Sequence, residues 1–341
     1  MPSVVCHAGI SDDYYYSYCP SLGASVLFAV LFGLSTTVHV LQAIHYRKAF
    51  ATVLIMGAAW ETGGYIVRVL SIYHQLNGTL YTVQMLLILL APLWINAYIY
   101  MLLGRMIHFF LRTDSVFRIP SRRITRMFVL FDITAFLIQA VGGVMTTPDA
   151  SAQTQRLGMD IYMAGVGVQL AFLATFTSLA VRFQLNLKKQ ERQSSSRLFQ
   201  RRDDDDEAGI ILDEGQNALT DLRADDAATY PSPELARRPL LVTLYAVMAL
   251  VIVRNAYRLA EFSTGATSPA VTHEWFGYVF DALPMFAASV ILNVWNPGKI
   301  LQGPRSGFAE QDKERKRAKK ARKVARKEAK KEAKRMRENE K

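Results

Sequence analysis

The chain has 341 residues, 51% of them apolar, and carries a formal charge of +11. Its apolar residues come in long blocks with the charges between or after them, which excludes a single large soluble domain and indicates a multi-span membrane protein. The basic surplus sits largely in the carboxy-terminal tail and says little about the folded body.

About 20 apolar residues cross a hydrocarbon core of roughly 30 Å. Residues 1–20 are polar and lack an apolar core, so no cleavable signal peptide is expected and the first span acts as its own targeting signal. Both cysteines, Cys6 and Cys19, lie here; they either bridge each other, if the segment is extracellular, or stay free. A membrane domain over about 21–298 follows. Its first span runs over about 22–44, after the helix-start signal Pro20-Ser21. The second, about 50–70, carries Glu61 near its middle. The sequon Asn77-Gly78-Thr79 lies so close to two spans that its use is not expected.

Span three, about 81–103, contains Pro92, which removes a backbone hydrogen bond and leaves a carbonyl for neighbours to satisfy. An arginine-rich connection leads to span four, about 127–145, with Asp132, Gln139 and Gly142-Gly143. Span five, about 157–183, carries Gly158, Gly165 and Gly167, small residues that let helices approach closely. Residues 184–238, with an acidic run from Asp203 to Glu207, read as a disordered loop. Span six is expected at about 240–260 and span seven at about 275–295; the tail, 299–341, is dominated by Lys, Arg, Glu and Ala and has no apolar stripe.

Lysine and arginine gather after spans one, three, five and seven, so the positive-inside bias puts the amino terminus outside and the carboxy terminus in the cytoplasm. The fold class is therefore an all-α integral membrane protein with seven spans. The tail is expected to touch an anionic lipid surface.

Two charged stripes stand out. Glu61, Tyr65 and Arg68 fall at i, i+4 and i+7 of span two, and Arg254, Arg258 and Glu261 take the same spacing in span six. With Asp281 of span seven they lie at similar depths, three arginines against Glu61, Glu261 and Asp281, a balance that a membrane interior tolerates. The carboxylates suit an ammonium and the arginines a phosphate; alternatively the groups only pair with one another and set helix register. Glu61 and Asp281, the deepest acids, are the expected substrate-binding groups, with Arg254 and Arg258 as partners that set their charge and position. No phosphate-binding loop, dinucleotide fingerprint or metalloprotease motif is present, the histidines are scattered, and neither an enzyme, a cofactor nor a nucleic-acid partner is expected.

Several motifs in order resemble the fungal RTA-like proteins (resistance to aminocholesterol), the lipid-translocating exporter family. They are Tyr18-Cys19-Pro20-Ser21, Glu61-x-x-Gly64-Tyr65-x-x-Arg68, Ala91-Pro92, Tyr100-x-x-x-Gly104-Arg105, Asp132 with Gln139, Arg254-x-x-Tyr257-Arg258-x-x-Glu261, His273-Glu274-Trp275 and Tyr278-x-Phe280-Asp281-x-x-Pro284-Met285. Asn296-Pro297-Gly298 departs from the family, which often carries His before the Pro-Gly. The resemblance implies a plasma-membrane protein that exports or flips sphingoid long-chain bases and confers resistance to toxic amphiphiles. A porphyrin or haem transporter of the same family, or a seven-span receptor, is the alternative.

Overall fold

The computed structural model describes residues 15–16, 18–47, 50–111, 115–116, 119–146, 150–207, 233–263, 272–301, 317, 320–322 and 325. The helices are α1 (Leu22–Tyr46), α2 (Ala51–Tyr73), α3 (Gly78–Phe110), α4 (Ser121–Met145), α5 (Ala152–Glu207) and α6 (Pro233–Ser263). The seventh, α7, is composite: a first turn Glu274–Gly277, a π-helical stretch Tyr278–Ala282 and a regular helix Leu283–Val294; the short α8 (Pro297–Ile300) follows. A two-residue hairpin, β1 (Ser115–Val116) against β2 (Ile119–Pro120), closes the α3–α4 turn. Seven helices are long and apolar enough to cross a membrane.

Consecutive helices are neighbours from α1 to α7, and α7 returns to α1. α3 touches α2, α4, α5 and α6, so it lies inside the bundle. Its most apolar window is 61% buried, against 28% for α1, whose Leu27, Leu34, Leu41 and Ile44 face outward. That outward apolar surface is expected where hydrocarbon is the solvent. The core gathers on α3, where Ile99, Leu102, Leu103, Met106 and Ile107 are fully buried.

Side-chain size sets the helix spacing. A Cβ on Gly142 of α4 would lie 2.5 Å from the Tyr162 nitrogen of α5, and one on Gly165 would lie 2.7 Å from Gln139 Cγ. Gly142, Gly158 and Gly165 therefore carry a backbone-to-backbone contact between α4 and α5. Gly167 meets nothing within 4 Å and has no packing role of this kind.

The structure corrects several boundaries. α3 begins at Gly78, capped by the Asn77 side chain on the Leu80 N–H at 3.2 Å, and continues to Phe110. α4 begins at Ser121, so most of the arginine-rich connection is helical. The segment expected to be disordered from 184 to 238 is helical over 184–207 and again from Pro233; 208–232 lie outside the described residues. Helix-favouring Leu, Gln, Lys, Arg and Glu continue α5 without a Gly or Pro to stop it. At 1.5 Å per residue its 56 residues span about 80 Å, far beyond a bilayer core. The chain divides into Met1–Leu301 and Gln302–Lys341; in the second unit the described residues Arg317, Lys320, Ala321, Arg322 and Ala325 are helical. Cys19 is disulfide-bonded; Cys6 lies outside the described residues.

Candidate functional site

The helical spacing on α2 and α6 turns Glu61, Tyr65 and Arg68, and Arg254, Arg258 and Glu261, toward the bundle, at the end that carries Tyr18 and Glu274. There they form two ion-pair groups.

The first is centred on Arg68. Its Nη2 pairs with Glu274 Oε1 at 2.6 Å and donates to Tyr18 Oη at 3.0 Å. Nη1 donates to Gln84 Oε1 at 3.2 Å, and Nε to Tyr278 Oη at 3.3 Å. Glu274 also accepts from Tyr278 Oη at 3.0 Å and, through Oε2, from the Ser21 N–H at 2.6 Å. Tyr16, Tyr18 and Ser21, just before α1, thus lie over this end of the bundle. Tyr16 donates to Ser71 Oγ at 2.9 Å, and its ring meets Tyr81 edge-on. Burial pushes the Tyr16 phenol above its ordinary pKa, against the pull of Arg68.

The second group is centred on Asp281. Arg254 Nε pairs with its Oδ1 at 2.5 Å and Arg258 Nη2 with its Oδ2, while Arg258 Nη1 reaches Glu261 Oε2 at 2.9 Å. Tyr257 donates to the other Glu261 oxygen at 3.2 Å. Arg254 Nη2 also reaches the Ile88 carbonyl at 3.5 Å. That carbonyl is the one left without an intrahelical donor by Pro92, four residues on, so an arginine on α6 answers a proline on α3. Asp281 sits in the π-helical turn, whose wider winding is a recurrent feature of functional sites.

A cavity of about 310 Å³ lies between the two groups. Five of the seven expected site residues line it: Tyr65, Arg68, Arg258, Glu261 and Asp281. Glu61 and Arg254 are not among its walls. Glu61 is 1% exposed, within electrostatic reach of Arg254, Arg258 and Asp281, and its Oε2 has no hydrogen-bond partner. Tyr18, Tyr81, Tyr162 and Tyr278 complete an aromatic lining, with Ile88 and Leu89 on the apolar side.

Arg258 pairs with Glu261 and Asp281, two of the three carboxylates that the sequence sets against it; no ion pair between it and Glu61 is found among the described residues. Two features depart from the sequence reading. Arg68 pairs with Glu274, not with the carboxylates of the other stripe. Glu274 belongs to the site, so three arginines (Arg68, Arg254, Arg258) meet four carboxyl groups (Glu61, Glu261, Glu274, Asp281), not three. The signal for Glu274 was its place between His273 and Trp275; it escaped the charge count because span seven was taken to begin after it. Tyr18 had the same kind of signal, its place in Tyr18-Cys19-Pro20-Ser21; Tyr81 and Tyr162 had none, because tyrosines near span ends are common interfacial residues.

The comparisons with known proteins agree with this architecture. The chain matches the family described as RTA1 like protein over residues 54–304. It is 38% identical over 304 residues to the probable lipid transporter atnI of Emericella nidulans, covering 88% of this chain and 72% of that protein. It is 27% identical to protoporphyrin uptake protein 1 of Saccharomyces cerevisiae, over 82% of this chain and 90% of the relative. It is 26% identical to the sphingoid long-chain base transporter RSB1 of the same species, over 87% and 76%. No solved structure matches. The match covers most of the chain and includes both charged stripes, the π-helical turn and every residue of the cavity wall but Tyr18: the chain belongs to the RTA1-like family of membrane proteins.

Proposed function

We propose that the protein moves amphiphilic lipids across the membrane, and that its substrate is a sphingoid long-chain base or a toxic amphiphile with a similar cationic head. The observation that carries this reading is the charge of the site: three arginines, each held by a carboxylate, and a fourth carboxyl, Glu61, with an oxygen left unpartnered. An ammonium head group in the cavity would supply a cation near Glu61, which lies behind the wall and not in it. An anionic porphyrin, the substrate named for one relative, would have to take arginines away from their partners. The cavity lies at the lower end of the range of about 300–1,000 Å³ typical of ligand pockets, which suits a head group whose chain stays between helices. The relatives are named as transporters, and the reading involves no catalysis and no cofactor.

In this reading the amino terminus is outside, the cavity lies in the outer half of a plasma membrane and the tail is cytoplasmic. A tag before Tyr14 and one after Lys341 should be protected on opposite sides; both on one side would refute the topology. The tail gains about 1 kcal/mol per basic residue near anionic lipid. A peptide of residues 313–341 should bind anionic vesicles and be released by salt, and equal binding to neutral vesicles would count against it.

Glu61→Gln keeps the shape and removes the acid. The variant should reach the cell surface normally and lose both efflux of labelled sphingoid base and tolerance to it. Asp281, with both oxygens held by arginines, now reads as the anchor of the arginine pair, and Asp281→Asn should lower the amount of folded protein. Normal tolerance with Glu61→Gln would remove the ammonium site from this reading.

A further inference from the structure

Besides Glu61, one further buried carboxyl group among the described residues is absent from the cavity wall. Asp132 of α4 is 1% exposed. Tyr100 of α3 donates to its Oδ2 at 2.9 Å, and its Oδ1 has no hydrogen-bond partner. Asn96, one turn before Tyr100, faces the same carboxyl group; its amide oxygen and nitrogen are both buried and unpartnered. The remaining neighbours are aromatic, with Phe128 and Phe176 packed on Tyr100. Among the described residues Asp132 makes no ion pair, and the one titratable group that faces it is Tyr100 from α3; α5 contributes Phe176.

A lone carboxylate in such surroundings needs a positive partner, because burying it uncompensated costs far more than one hydrogen bond returns. Two orphaned acceptors, Asp132 Oδ1 and Asn96 Oδ1, are too few for a calcium or magnesium ion, which takes six or more oxygens. One is enough for a proton.

We propose that Asp132, held by Tyr100 and faced by Asn96, is a proton-binding site that couples substrate translocation to a proton gradient. The step is an O–H bond formed at Oδ1 on loading and broken on release; no electron moves. The polar residues of α4 support a route along the helix. Ser121, Thr125, Asp132 and Gln139 fall at i, i+4, i+11 and i+18 and form one stripe. Thr125 Oγ1 donates to the Tyr100 carbonyl at 3.2 Å on one side of Asp132, and Gln139 Nε2 donates to Gln169 Oε1 at 2.9 Å on the other. The coupling rests on the transport reading above; the proton site itself does not.

The full-length protein, reconstituted in vesicles, decides both. Infrared difference spectra between acid and alkaline buffer should show a protonated-carboxyl band that Asp132→Asn lacks and whose midpoint Tyr100→Phe displaces. An imposed pH gradient should speed transfer of labelled sphingoid base by the wild type, and leave the rate of Asp132→Asn equal with and without the gradient. A band that survives Asp132→Asn, a midpoint unmoved by Tyr100→Phe, or drive from a sodium gradient in place of the pH gradient would overturn the proposal. If no base moves under any condition, the transport reading and the coupling fall, and the infrared band still decides the proton site.

Discussion

Asp281 and Asp132 are both buried aspartates in membrane-spanning helices, yet one meets two arginines and the other meets a tyrosine and an amide. The difference follows from where each helix lies. α7 faces α6, whose Arg254 and Arg258 stand one turn apart, and the π-helical turn presents Asp281 to both. α4 faces the aromatic middle of α3. A paired charge is expensive to create and more expensive to break, so the first aspartate reads as a fixed strut. Among the described residues the second has only neutral neighbours, so a change in its protonation would dismantle no ion-pair network. The charged region is built to hold its shape, and the neutral one can change state.

This contrast can be broken by experiment, and the largest effect is expected at the strut. Arg258→Gln leaves Asp281 and Glu261 short of a partner in a low-dielectric site; breaking a buried pair costs about 3–5 kcal/mol. The yield of folded protein in detergent should fall sharply, and a normal yield would mean that the ion pairs do not support the bundle. Glu274→Gln should cost less, about 1–3 kcal/mol. Arg68 keeps Tyr18, Gln84 and Tyr278 as acceptors, so a lowered melting temperature with the protein still folded is expected.

On the other side of the comparison, Gly142→Ala pushes α4 away from α5 near the Gln139–Gln169 bond. Overpacking of this kind costs about 1–3 kcal/mol, read as the same kind of shift in melting temperature. An unchanged melting temperature would show that the two helices have slack. The smallest effect is expected for Asp132→Asn: about 1 kcal/mol at most, the net worth of one ordinary hydrogen bond, measured as thermal stability of the purified protein. A loss as large as that of Arg258→Gln would show that Asp132 is a structural charge and erase the distinction.

The seven spans and both charged stripes could be read from the sequence, because each depends on the order of residues within one helix. A block of about 20 apolar residues has one stable form in a bilayer, and i, i+4, i+7 spacing has one face. The need of the Ile88 carbonyl for a new donor was likewise written in Pro92. Which arginine met which carboxylate was not, because helix rotation and depth settle it between residues far apart in the chain: Arg68 with Glu274, Arg254 with both Asp281 and the Ile88 carbonyl. Span ends marked by hydropathy also hid the helical extensions of α4 and α5, since helix formation continues into water wherever the residues favour it and no breaker intervenes. Tertiary structure alone decided that Glu274 joins the site, that Glu61 lies behind the cavity rather than in its wall, and that Asp132 meets no cation among the described residues. An isolated helix determines which residues share a face, whereas the neighbours that face meets, and so whether a buried charge is paired or alone, are set by how the seven helices pack.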